Sequence, residues 1–214
     1  MVYFFKSRCG EFTIYMGKDK YENEDLIKYG LPEDVWFHVD DLSSAHVYLR
    51  MKPGMTLDDI SEDLLLDCAS LVKANSIQGC KKNNVYVVYT RWKNLKKTKS
   101  MVDGQVGFHR PNNVRRMQVE KNNSIVRQIE KTKVEEHPDL FAQQQKREKE
   151  IQQQQKEEHK KKLKAKQEAI EKARKEKELR SYDRIMTEDN MTTNKDIQAS
   201  VDASAAEEFE DDFF

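Results

Sequence analysis

The sequence predicts an α+β protein: a compact N-terminal domain on a mixed sheet, followed by a long charged helix and a disordered acidic tail. Three observations carry that expectation. Strand-like and helix-like segments mix over residues 1–120 without a regular βαβ rhythm, which argues against a doubly wound sheet. Charged residues make up 36% of the 214, and the mean hydropathy is −0.93, too polar for a chain that is globular throughout. The formal charge of zero hides a segregation, because residues 141–180 carry 14 basic and 8 acidic side chains while residues 181–214 carry 2 and 10. A basic block before an acidic tail reads as an interaction appendage rather than a second core.

Taken in order, Phe12, Ile14 and Met16 alternate with Thr13 and Tyr15, the period of a half-buried strand that Gly17 ends. Asn23 is the expected N-cap of a short helix over residues 24–29, with Glu24 and Asp25 where the helix dipole favours negative charge. Gly30 and Pro32 stop it. Asp34-Val-Trp-Phe-His-Val-Asp40 alternates again, with Val35, Phe37 and Val39 on one face and Trp36 and His38 on the other. His46-Val-Tyr-Leu-Arg50 follows after a turn rich in Asp and Ser. Thr56 with Asp59 resembles a capping box, and the helix beyond it aligns Ile60, Leu64, Cys68, Leu71 and Val72 in one core-facing stripe.

Residues 85–90, β-branched and aromatic, predict a well-buried strand, and two shorter strands are expected near residues 104–109 and 114–119. From Ser124 the pattern is helical, with Ile125, Ile129 and Val134 on one side until Pro138 interrupts it. Residues 141–180 are nearly all Gln, Lys, Glu and Arg. Leu163 and Ile170 keep a seven-residue step, yet no sustained seam forms, so an exposed helix held by Glu–Lys pairs is expected. The expected divisions are 1–120, 121–180 and 181–214.

Cys9, Cys68 and Cys80 are odd in number and widely spaced, forming neither a disulfide framework nor a zinc pattern. That usage fits a reducing compartment, so a cytoplasmic and also a nuclear location are expected. Lys6 and Arg8 cut the opening apolar run short of the about 7–15 residues of a secretory signal. No stretch approaches the about 18–20 apolar residues of a membrane-spanning helix.

The segments Gly17-Lys-Asp-Lys-Tyr-Glu-Asn-Glu-Asp-Leu26, Asp34-Val-Trp-Phe-His-Val-Asp40 and Ser44-Ala-His46 together resemble an NFACT-R domain, the Trp-Phe-His element being the most specific part. Lys73, Tyr89-Thr90, Lys96-Lys97 and Gly104-Gln-Val-Gly107 resemble its later elements. The likeness covers residues 10–115. It implies an RNA-binding domain that, in larger relatives, acts on stalled large ribosomal subunits beside a companion domain not legible in this sequence. Leu42-Ser43 stands where many relatives have Pro or Gly.

Trp36, His38 and His46 are the first candidate contacts. With three residues between the strands, His46 lies opposite His38, and both share a face with Trp36 and Tyr48; a four-residue link reverses that parity. An indole beside two imidazoles suits base stacking and phosphate hydrogen bonding. The alternative is a core indole with histidines bonded to backbone carbonyls. Lys81, Lys82, Arg91, Trp92, Lys93, Lys96, Lys97 and Lys99 form a run with no acidic residue until Asp103, the electrostatic footprint of phosphate binding or else a solvated lysine face. Lys73 joins this set by the resemblance. Lys18 and Lys20, beside the start of the first helix, make a second anion site.

No Ser/His/Asp or Cys/His arrangement and no phosphate loop is legible, so no enzyme activity, cofactor or metal is expected. The expected function is nucleic-acid binding, RNA ahead of DNA, with a tie to ribosomes. The alternative is a protein-interaction adaptor whose partners bind residues 141–180 and the acidic tail.

Overall fold

In the computed structural model, which describes residues 1–98 and 100–181, the sheet begins earlier than the alternation indicates. The opening apolar run is itself a strand, β1 (Val2–Lys6), antiparallel to β2 (Thr13–Gly17). Helix α1 (Lys20–Lys28) starts before Asn23 because Asp19 is its N-cap, its carboxylate accepting the Tyr21 and Glu22 amides at 3.0 Å each. Asn23 is instead buried inside the helix, against Gly17; a Cβ at Gly17 would stand 2.5 Å from Asn23 Oδ1.

Strands β3 (Asp34–Val39) and β4 (Val47–Arg50) follow. The Thr56–Asp59 capping box forms but closes only a single 3-10 turn, and α2 (Glu62–Ala74) has its own cap in Ser61. Next come β5 (Asn84–Arg91), a short ribbon of β6 (Leu95–Lys96) with β7 (Gly107–Phe108), and β8 (Arg115–Glu120). The chain then forms α3 (Asn123–Glu130), β9 (Val134–Glu136) and α4 (Leu140–Arg180).

Among the described residues the main sheet has seven strands in the order β8-β5-β3-β4-β2-β1-β9, antiparallel at every pairing. One face, through Val35, Phe37, Val47, Leu49 and Val87, packs on α2 and α3. The other, through Tyr15, Trp36 and Tyr48, packs on Leu26 of α1, Leu95 of β6 and Phe108 of β7. These three layers make the α+β domain.

The boundary expected at residue 120 falls too early. Ile125 and Ile129 of α3 are buried against α2, and β9 adds to the sheet beside β1, so Val134 is a strand residue and not a helical one. The compact unit runs Met1–Gln152 and includes the first turns of α4, where Phe141 meets the Tyr29 ring edge-on and Arg147 holds Glu33 at 2.8 Å. Helix α4, 41 residues and so about 60 Å long, has no buried residue and carries i,i+4 pairs such as Glu158–Lys162 and Glu171–Lys175. The acidic tail expected over 181–214 lies, beyond Ser181, outside the described residues.

Candidate nucleic-acid interface

Phe37 lies opposite Val47, so the three-residue link holds and His38 comes opposite His46. Asp41 turns the link in the left-handed region at φ 57°, a conformation Asp tolerates well for a non-glycine. The link is tied down on both sides. Ser44 Oγ accepts the Val39 amide at 3.0 Å, Ser76 Oγ donates to the Ser43 carbonyl at 2.7 Å, and the Ala45 amide donates to the Asn75 carbonyl at the end of α2.

Two clefts flank the histidines. One of about 390 Å³ lies between the start of α1 and the link, lined by Lys18, Lys20, His38, Ser44, His46 and Gly104. The other, about 530 Å³, runs along Trp36, Asp40, Val88, Gly104 and Phe108 on the far side of His38. His38 and the Gly104 loop therefore form the wall between them.

Trp36 Nε1 donates to His46 Nδ1 at 2.8 Å, which places the proton of the neutral imidazole on Nε2. Burial, then the neighbouring His38, lowers the His46 pKa to about 3. His38 stacks flat on the Trp36 indole, 5.4 Å between ring centres, and its Nδ1–H donates to the Val39 carbonyl at 2.7 Å. Burial lowers its pKa as well. At neutral pH both rings are uncharged hydrogen-bonding groups; the first cleft sets Lys18 and Lys20 against Asp19 and Asp103, and the second is lined by Asp40 and Asp41 with no lysine or arginine.

The sequence-derived candidates divide sharply in space. Lys18 and Lys20 are exposed beside the first cleft. Trp36, 2% exposed and pinned between His38, His46 and Phe108, offers no free face to a base, so the stacking role expected of it fails. Trp92 is half-buried, donating from Nε1 to the Ile27 carbonyl at 2.8 Å and packing so tightly on Gly30 that a Cβ there would collide with the indole. His46 is buried, with Nδ1 already used.

The basic run is not one patch. Strand β5 spans eight residues, about 23 Å, leaving exposed Lys81 and Lys82 before one end, and Arg91 with exposed Lys93 at the other. Arg91 donates to the Met55 carbonyl there. Lys97 is committed to Glu24 at 2.7 Å and to the Val102 and Gln105 carbonyls. Lys73 is buried, its ammonium donating to the Asn83 and Val119 carbonyls. Lys96 is exposed on β6, and Lys99 lies outside the described residues.

Two aromatics that sequence reasoning did not select face solvent at the cleft end of the sheet. Tyr21, in the first turn of α1, is 65% exposed, and Tyr86, near the start of β5, is 46% exposed with the Arg116 guanidinium 4.0 Å from its ring centre. The signal for Tyr86 was present: Val85, Val87 and Tyr89 fill the core, so Tyr86 must point the other way. Among the described residues no cluster of His, Cys, Asp and Glu side chains is placed to hold a metal ion, and no helix is long and apolar enough to cross a membrane.

Residues 1–110 match the family model described as the NFACT protein RNA binding domain. The chain belongs to that family. Over 92% of its length it is 54% identical to coiled-coil domain-containing protein 25 of Bos taurus, covering 96% of that protein, and 57% identical to the Danio rerio protein of the same name over the same shares. It is also 42% identical to protein JLP2 of Saccharomyces cerevisiae, over 63% of this chain and 69% of that one. The NFACT-R fold is seen again in the C-terminal part of a fibronectin/fibrinogen-binding protein from Streptococcus suis, at a TM-score of 0.50 and 23% identity, covering 59% of this chain and 48% of that one. The family match spans β1 to β7 with α1 and α2, and so contains both histidine clefts.

Proposed function

We propose that this chain is a non-enzymatic RNA-binding protein that takes a single strand across the cleft end of its sheet. The observation that carries the reading is the cleft itself: exposed Lys18 and Lys20 stand beside the half-buried His38 and the buried, neutral His46 on a domain whose family is described as RNA binding. Lysines supply phosphate attraction, and Tyr21 and Tyr86 supply exposed rings for bases. The half-buried His38 ring and the backbone groups around it, which bond without added charge, suit the 2′-hydroxyl and base edges that distinguish RNA from DNA. Ribosomal RNA is the substrate we infer, and free cysteines at Cys9, Cys68 and Cys80 fit a cytoplasmic site of action.

Fluorescence anisotropy with a labelled single-stranded RNA and the matching DNA tests this. Lys18→Glu/Lys20→Glu should weaken RNA binding roughly tenfold or more, whereas Lys93→Glu, at the opposite end of the sheet, should change it little. Equal losses from both variants, or no RNA binding at all near 50 mM salt, would remove the proposal. A second reading, a protein-interaction adaptor working through residues 141–180, is favoured by Leu163 and Ile170, exposed at 50% and 59% and seven residues apart on α4.

A further inference from the structure

Beyond the last pairs of β5 and β8, a separate cavity of about 430 Å³ opens between the C-terminal half of α2, the Cys80–Lys81 turn and the β8–α3 connection. It shares no lining residue with either histidine cleft. We propose that it is a binding site for a phosphate monoester of mononucleotide size, whether a free nucleotide or the terminal nucleotide of an RNA strand.

Three lysines converge on the cavity. Lys73 reaches its wall from α2, and the Asn83 and Val119 carbonyls hold its ammonium in place, using two of its three hydrogens. Lys81 and Lys121 stand at the rim, exposed, and neither forms an ion pair among the described residues. Glu120 is the acidic residue of the lining, so the cavity keeps an excess of positive charge.

That excess is felt inside the protein. Burial first, then Lys121, lowers the Lys73 pKa, and Glu120 offsets this in part. A dianionic phosphate placed among the three ammoniums would relieve both the repulsion and the missing solvation. The floor holds another unmet demand: the Ser70 hydroxyl is buried and has no hydrogen-bond partner within the protein. Ala74 and Val126 supply apolar wall for the body of the ligand, and the volume lies in the ordinary range of small-ligand sites.

The two carbonyl bonds of Lys73 explain why that side chain is buried. They do not explain why Lys81 and Lys121 line the same cavity, neither in an ion pair among the described residues and with Glu120 as the one acidic residue of the lining. The inference stands independently of the histidine clefts, since it uses none of their residues.

The test is equilibrium dialysis of the full chain against labelled AMP and inorganic phosphate, with adenosine as the uncharged control. Alongside it, a 5′-phosphorylated RNA oligonucleotide is compared with its 5′-hydroxyl twin. AMP should bind saturably and adenosine should not. Lys81→Glu/Lys121→Glu, both exposed and checked for folding by circular dichroism, should weaken AMP binding about tenfold or more. Lys18→Glu/Lys20→Glu should leave it unchanged. Tighter binding of the 5′-phosphorylated strand, abolished by Lys81→Glu/Lys121→Glu, would identify an RNA terminus as the source; AMP binding with no strand preference would identify a free nucleotide. Absence of saturable AMP and phosphate binding, or equal affinity in the wild type and the rim variant, overturns the proposal whatever becomes of RNA binding at the clefts.

Discussion

Asp34 has no solvent exposure, yet its carboxylate is surrounded by donors: the Tyr15 hydroxyl at 2.6 Å, the Leu31 amide at 2.8 Å and Arg50 Nε at 3.1 Å. Removing the carboxylate would leave a guanidinium and a buried hydroxyl without their acceptor, so Asp34→Ala should cost about 3–5 kcal/mol in urea unfolding. His46 makes the stability of the domain sensitive to acid. The unfolded chain takes up the imidazole proton below pH about 6.5, while the folded ring resists it down to about 3. Stability is therefore full above 6.5 and falls as pH drops through that window, by up to about 1.4 kcal/mol per pH unit, with His38 acting in the same direction. The urea midpoint should be level between pH 7 and 8 and decline towards pH 4.5, and His46→Asn should flatten the decline. An unchanged slope in that variant would move the effect to other groups.

At the scale of elements, α3 and β9 are what turn the region after residue 120 from an appendage into part of the domain. Ile125 and Ile129 close the α2 side of the core, and β9 covers the outer edge of β1. A chain ending at residue 120 loses both, exposing apolar helix surface and an open strand edge. Residues 1–152 should unfold cooperatively at the midpoint of the full chain, whereas residues 1–120 should show a lower midpoint and a tendency to aggregate. Ile129→Ala should destabilise by about 2–5 kcal/mol in the same measurement. Matching midpoints for the two fragments would return α3 and β9 to the status of passengers.

For the whole molecule, the cleft lysines compete for phosphate with residues 141–180, which carry 14 basic side chains. Eight acidic residues are interspersed among those 14, several locked in i,i+4 pairs, which blunts the attraction of the helix for a polyanion. With Lys18 and Lys20 engaged on a single strand, the logarithm of RNA affinity should fall with the logarithm of salt at a slope of about −1.4. Residues 1–152 and the full chain should give slopes that agree within about one unit. A much steeper slope for the full chain would assign the affinity to α4.

Alternation and stripe spacing were enough to specify β3, β5 and the core face of α2, because a period of two or of 3.6 fixes which side chains share a face, whereas the opposition of His38 to His46 hung on the length of the link and only the register of β3 with β4 decided it. The same local logic misplaced the cap of α1 by four residues, since Asp19 and Asn23 are equally good caps in sequence and only the packing of Asn23 on Gly17 separates them. Availability was beyond its reach. Trp36 and Trp92 have the chemistry of stacking residues, but α1, Phe108 and Gly30 enclose them, and those neighbours lie far away along the chain. The run from Lys81 to Lys97 is continuous in sequence and divided in space, because an extended strand carries its two ends to opposite sides of the domain. Residue chemistry is a property of the sequence; exposure and proximity are properties of the layers that cover it.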